Sequence, residues 1–164
     1  MIVMDSCSVI LLAKASVLET LADARPVAIT KTVLQEVLKG KERLLEDALL
    51  LERLVQNQKI QLLMENLVLT KKISQDFNMG YGEASTIAVA MGKKNAIVAT
   101  DNRQGRKVTK VHNLPLVGSP EIVVSLYKQK RITKEKASSA LRVLQEQGWF
   151  SPYLLEKAKG GYHE

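Results

Sequence analysis

The sequence predicts an α/β fold in which helices cover both faces of a parallel β-sheet. Short apolar runs such as residues 96–100 (AIVAT) are typical of strands that are buried on both faces. These runs alternate with longer segments such as residues 84–91, whose apolar side chains recur at i, i+3, i+4 and i+7, the spacing of one helix face. This alternation is typical of a parallel sheet wrapped by helices.

The first element is a strand over residues 1–4, which ends at Asp5. Ser6 or Ser8 can cap the helix that follows, and its apolar positions continue to Leu18. The order at this point is strand, acid, helix.

A second strand over residues 27–29 leads into a helix that Thr30 or Thr32 can cap. Glu36 lies on this helix, off its apolar stripe. The first half then continues with a helix over 44–55, a strand over 59–63 and a helix over 67–77.

The stretch from Gly80 to Arg106 holds the helix and strand around which we expect the site to form. Glu83 stands where the helix begins, and Asp101 stands at the carboxyl end of the strand over residues 96–100. In open α/β sheets, sites form beyond the carboxyl ends of strands. The remaining elements are a strand over 114–117, a helix capped by Ser119 with Pro120 at its first position, and tail helices over 133–147 and 151–159.

The composition predicts one soluble domain. The 164 residues suffice for a single core, which we place at about residues 1–125 with a helical extension over about 126–164. No apolar run approaches the roughly 20 residues that a membrane span requires, and MIVMD is not a signal peptide, so we expect a cytoplasmic protein without a membrane partner. The single cysteine, Cys7, excludes an internal disulfide, and we interpret it as a small core residue.

The charge balance favours a polyanionic partner. The formal net charge is +7 and the pI is about 9.5, which places nucleic acid ahead of a membrane surface. The aromatic content of 4% argues against binding by base stacking, so we expect contact through phosphates.

Four acidic residues can form one site. Asp5 and Asp101 each end a predicted strand, and their carboxylates meet at one edge if those strands are neighbours; Glu36 and Glu83 can lean in from helices. Clustered carboxylates raise one another's pKa unless a cation neutralises them, and oxygen ligands select Mg²⁺ or Mn²⁺. The alternative is that each acid merely favours a helix N-terminus through the helix dipole.

These residues, in the order Asp5-Ser6, Glu36, Gly82-Glu83-Ala84 and Ala99-Thr100-Asp101, resemble the PIN-domain family of metal-dependent ribonucleases, which includes the VapC-type toxins. The resemblance covers about residues 1–120, and the tail is similar to that of a prokaryotic PIN subgroup. It implies a three-layer α/β/α fold with about five parallel strands. It also implies a pocket that holds one or two Mg²⁺ or Mn²⁺ ions and hydrolyses RNA. The implied catalytic residues are Asp5, Glu36, Glu83 and Asp101, and the implied metal ligands are Asp5, Glu83 and Asp101.

One position departs from the family pattern. Many members carry a further acid shortly after the strand-end Asp, whereas Asn102 follows Asp101 here. Asn102 can bind a metal or its water through its carbonyl oxygen but brings no charge, which leaves the number of ions open. Ser6 and Thr100 flank the two aspartates, and we assign them supporting roles, with capping and strand packing as the alternative. Glu42 is the alternative to Glu36.

A basic stripe follows the acidic site. Four cations fall at helical spacing, and they are Arg103, Arg106, Lys107 and Lys110. We interpret them as RNA contacts, Arg106 first, with a solvated helix face as the alternative. His112 is interpreted as a helix-end residue.

The leading functional hypothesis is a metal-dependent ribonuclease, including the toxin of a toxin–antitoxin pair. The second is a PIN module with a decayed pocket that binds RNA or a protein partner. A third, a dehalogenase-type phosphatase with Asp5 as nucleophile, needs a second Asp where Cys7 stands. We expect a homodimer, or an antitoxin-like partner, to cover the apolar residues of the tail, which are Ala137, Leu141, Leu144, Trp149, Tyr153 and Leu154.

Overall fold

A five-stranded parallel sheet forms the centre of the protein. The computed structural model describes residues 1–39 and 46–148, together with Phe150 and Glu156. The strands are β1 (Ile2–Met4), β2 (Val27–Thr30), β3 (Gln61–Leu63), β4 (Ile97–Ala99) and β5 (Leu116–Val117). Their order is β3–β2–β1–β4–β5 and every pairing is parallel, so β1 lies centrally between β2 and β4. The predicted sheet is confirmed.

Helices connect the strands in the predicted alternation. Those in the described ranges are α1 (Ser6–Lys14), α2 (Leu18–Ala24), α3 (Lys31–Leu38), α4 (Glu46–Gln56), α5 (Leu67–Phe77), α6 (Tyr81–Met91), α7 (Arg103–Val111), α8 (Ser119–Lys128) and α9 (Lys134–Gln147). None of the helices in these ranges has both the length and the apolar character needed to cross a membrane.

The two faces of the sheet belong to different cores, because successive side chains of a strand point to opposite faces. Ile2 and Met4 lie in the largest core, to which α1, α2, α3, α4, α8 and α9 also contribute buried side chains. Val3 lies in a second core with residues of β4 and α6. On that side α5 and α7 add a further apolar cluster around α6. The arrangement is therefore helix, sheet, helix, which confirms the expected three-layer α/β/α fold.

The helical tail packs on the domain itself as far as it is described. The buried side chains of α9 (Ala137, Ala140, Leu141 and Leu144) belong to the main core, and α9 contacts α8 and α1. Phe150 packs against the same core. The predicted second tail helix and the side chains of Trp149, Tyr153 and Leu154 lie outside the described residues. The apolar face of α9 is therefore covered within the chain.

Three local predictions about the first 18 residues were wrong. The helix expected to continue to Leu18 breaks into α1 and α2, with Ser16 in a left-handed conformation (φ 57°) between them. Neither Ser6 nor Ser8 caps α1, because Asp5 does so itself by accepting the Ser8 N–H. Cys7 is exposed, because it lies in the first turn of α1, beyond the edge of the sheet.

Candidate metal centre

Two of the predicted acids lie at the same edge of the sheet. β1 and β4 pair in register with Met4 opposite Ala99, and the Asp5 N–H donates to the Ala99 carbonyl at 3.2 Å. Asp5 and Asp101 therefore leave neighbouring strands at the carboxyl edge, where α/β sheets form their sites.

Asp5 is the most deeply buried of the acids, with 1% of its surface exposed. Its Oδ1 accepts the Ser8 N–H at 2.8 Å, whereas its Oδ2 is buried without a hydrogen-bond partner among the described residues. Burial is the largest influence and raises the pKa of Asp5 to about 6; Thr100 and Ser8 act in the opposite direction, and Asp101 adds to the rise. The Thr100 hydroxyl lies beside this carboxyl, yet Thr100 Oγ1 and Asp5 Oδ2 do not meet the geometry of a hydrogen bond.

Asp101 is held by three donors. Its Oδ1 accepts the Ser119 N–H at 2.7 Å, and its Oδ2 accepts the hydroxyls of Ser119 at 2.5 Å and Ser8 at 3.0 Å. Burial raises the pKa of Asp101, the hydrogen bonds from Ser119 and Ser8 lower it, and the charge of Glu121 raises it. These bonds fix the orientation of the carboxylate.

Ser119 was predicted to cap α8, but Gly118 occupies that position and Ser119 is the first helical residue. The contact with Asp101 explains the difference, since both Ser119 donors are used there. Ser8, Ser119 and Glu121 were not among the predicted site residues. A polar residue two positions after β5, the neighbour of β4, is the sequence signal that could have identified Ser119.

Glu36 reaches the site from α3. Its Oε1 accepts the Gly82 N–H at 2.9 Å, and its Oε2 accepts the hydroxyl of Ser6 in a short hydrogen bond. A side chain at position 82 would collide with this carboxylate, so the glycine is required for the contact. The alternative acid, Glu42, lies outside the described residues.

Glu83 stands in the first turn of α6 and is half-buried. Burial raises its pKa to about 7, and repulsion from Asp5 and Glu36 adds to the rise; a hydrogen bond with the Gly80 backbone lowers it. Glu83 is therefore electrostatically linked to two of the other three acids.

The donor chemistry fits a hard divalent cation, because carboxylate oxygens are its preferred ligands and Asp5 Oδ2 has no hydrogen-bond partner in the part of the chain that the structure describes. Asp5, Glu83 and Thr100 line one narrow cleft. As the side chains stand, no three acidic, histidine or cysteine residues of the described chain are close enough together to hold a metal ion. The structure thus brings the four acids to one region without forming a closed ligand set.

Asn102 caps α7. Its Oδ1 accepts the N–H groups of Gln104 at 2.7 Å and Gly105 at 3.1 Å. The oxygen that we expected to reach a metal or its water is therefore engaged at a helix start, and the supporting role stays a prediction.

The basic stripe lies on α7, but its members differ. Arg103, Lys107 and Lys110 are exposed. Arg106 donates to the Thr100 carbonyl at 3.3 Å and lies 3.9 Å from Glu121, with 25% of its side chain exposed. The absence of a side chain at Gly118 leaves room for this arginine beside Asp101. Arg103, Lys107 and Lys110 therefore face solvent, whereas Arg106 is partly engaged.

The comparison with protein families agrees with this geometry. The family model described as DUF3368, PIN domain, matches residues 1–160. No curated protein and no solved structure matches the chain. PIN domains are in general nucleases, and they commonly use divalent metal ions. From its fold, the placement of its acids and this match, the chain belongs to the PIN-domain family.

Proposed function

We propose that this PIN domain is a ribonuclease that uses Mg²⁺ or Mn²⁺ to hydrolyse RNA phosphodiester bonds. The observation that carries the proposal is the Oδ2 of Asp5, which is buried at the sheet edge near Asp101 and Glu83 and has no hydrogen-bond partner within the described ranges. A buried carboxylate oxygen without a partner is unfavourable, and a bound cation would satisfy it.

Asp5, Glu83 and Asp101 are the residues that would hold the ion. When bound, such an ion lowers the pKa of water and neutralises charge on a phosphate. Ser119 and Ser8 keep the Asp101 carboxylate in one orientation, so that it needs little rearrangement on binding.

RNA would lie along α7. Arg103, Lys107 and Lys110 are exposed cations on the helix that begins next to Asp101. With a net charge of +7, the chain attracts a polyanion without sequence preference. The phosphates that flank the cleaved bond would contact these side chains.

A second candidate function is an RNA-binding or partner-binding PIN module without cleavage. It is favoured by the lack of three assembled ligands in the described chain and by the engagement of Asn102 in a helix cap. Such a module would bind RNA equally well in Mg²⁺ and in EDTA.

The test is RNA cleavage by the wild type, Asp101→Asn and Asp76→Asn, each in Mn²⁺ and in EDTA. Asp101→Asn keeps the shape of the side chain and removes its charge, so we expect the loss of cleavage and a melting temperature no lower than that of the wild type. Asp76→Asn is the control, because Asp76 is an exposed carboxylate paired with Lys72 on α5. Undiminished cleavage by Asp101→Asn would move the chemistry elsewhere, and no cleavage by the wild type would favour the binding module.

A further inference from the structure

Two helices at this edge of the sheet begin at a glycine and lack a side-chain cap of their own. The N-cap residues are Gly80 for α6 and Gly118 for α8, and neither helix start has a hydrogen bond from its own cap side chain. By contrast, Asp5, Thr30 and Asn102 cap α1, α3 and α7 with their side chains. The first N–H groups of an uncapped helix need acceptors from elsewhere.

Carboxylates that are distant in sequence supply those acceptors. Asp101 accepts the first N–H of α8, from Ser119, and Glu36 accepts the N–H of Gly82 in the first turn of α6. Glu36 also accepts the Ser6 hydroxyl at the start of α1. Both of its oxygens are therefore engaged, and they join the first turns of two helices.

The first turn of α1 follows Asp5, and the first turn of α6 contains Glu83; the proposed function needs both acids. Ser6 is adjacent to Asp5, and Gly82 is adjacent to Glu83. The position of the α6 start decides where the Glu83 carboxyl lies. Glu83 itself bonds to the Gly80 backbone, whereas the N–H of Gly82 is accepted by Glu36.

We propose that Glu36 is a positioning residue, which replaces the missing cap of α6 and ties it to α1, and that it is not a metal ligand. Its effect on the site is exerted through Glu83. This last step rests on the proposed function; the capping of α6 does not.

The first experiment measures amide hydrogen exchange at Gly82 in metal-free protein. Glu36→Ala should speed this exchange by roughly two- to thirtyfold, the range produced by losing a helix cap. Glu36→Gln should stay within about twofold of the wild type, because its side-chain carbonyl can still accept the Gly82 N–H. Gln35→Ala is the control, since Gln35 is an exposed neighbour on α3. Unchanged exchange in Glu36→Ala would overturn the proposal.

The second experiment measures Mn²⁺ affinity by titration. Glu36→Gln should bind Mn²⁺ as the wild type does, whereas Glu36→Ala should bind it more weakly. A loss in Glu36→Gln as large as that in Glu36→Ala would show that the charge of Glu36 is needed, and would overturn the proposal.

Gly82→Ala removes the contact between Glu36 and α6 in an independent way, because the added methyl group displaces the Glu36 carboxylate. It should weaken Mn²⁺ binding as Glu36→Ala does, and the double variant should lose little more. Fully additive losses would count against a shared contact. If the wild type binds no Mn²⁺, the proposed function fails, and the exchange measurement still decides whether Glu36 caps α6. If Glu36→Ala does not fold, Ser6→Ala takes its place, because it removes one of the two hydrogen bonds that Glu36 accepts. Ser6→Ala should leave the Mn²⁺ affinity closer to that of the wild type than Gly82→Ala does.

Discussion

The replacement Asp5→Asn should stabilise the metal-free protein at neutral pH and do so much less in acid. The folded chain raises the pKa of Asp5 from its ordinary value of 3.8 to about 6, chiefly through burial. Between these two pKa values the folded protein holds a proton that the unfolded chain has released. The contribution of Asp5 to stability is therefore greatest below pH 3.8 and is lost as the pH rises from there through about 6.

The size of the effect follows from the same two values. Each pKa unit corresponds to about 1.36 kcal/mol, so ionised Asp5 costs the folded state about 3 kcal/mol above pH 6. Asparagine removes this charge. Its amide can also donate to the Thr100 hydroxyl, which has no hydrogen-bond partner among the described residues.

Urea unfolding in EDTA at pH 4.5 and pH 8 measures the difference. We expect Asp5→Asn to exceed the wild type by about 2 to 3 kcal/mol at pH 8, and by about 1 kcal/mol at pH 4.5, where part of the unfolded chain's Asp5 is still protonated. Asp76→Asn is the control and should show no such gain with pH. A difference between Asp5→Asn and the wild type that is equal at both pH values would refute the reasoning, since it would mean that Asp5 is not an uncompensated buried acid.

Two further predictions concern the surface. Lys107→Ala should weaken RNA binding across sequences and lower the slope of log K against log salt by about 0.7 to 1, the value for one phosphate contact. Arg106→Ala should do the same if Arg106 leaves Glu121 for a phosphate. Binding titrations over a series of salt concentrations measure both slopes. Equal slopes for the variants and the wild type would return these residues to a solvated helix face. The homodimer prediction now rests on the tail residues after α9, because the apolar face of α9 is covered within the chain. Light scattering on the full chain tests it: a dimer has twice the 18.2 kDa mass of one chain, and a monomer at micromolar concentration would defeat the prediction.

The central part of the fold could be predicted because its signals are strong and local. β1, β2 and β4 are continuous apolar runs, and α5 was predicted with the bounds that it has, Leu67–Phe77. The bounds of β3 were harder to predict, because its sequence has a weak apolar pattern. β3 is an edge strand of three residues, with Leu62 42% exposed, and it is shorter than the predicted strand over 59–63.

The places of Asp5, Glu83 and Asp101 at strand or helix ends could be predicted from the sequence, whereas the hydrogen-bond partners of the acids could not. The bond between Ser119 and Asp101 joins residues 18 apart, and that between Ser6 and Glu36 joins residues 30 apart. Such pairs depend on how the elements pack, which no local pattern contains. Arg106 shows the same limit, because its spacing in the stripe gives no indication that it turns towards Thr100 and Glu121.

The central claim is that the buried carboxyl groups at the edge of β1 and β4 bind a divalent cation. Calorimetric titration of Mn²⁺ into the wild type, Asp5→Asn and Asp76→Asn tests it most directly. The account predicts saturable binding by the wild type and Asp76→Asn, and an affinity at least about tenfold lower for Asp5→Asn, since removing one charged ligand costs more than ~1.4 kcal/mol. Equal Mn²⁺ affinities for the wild type and Asp5→Asn, or no binding by the wild type, would contradict it.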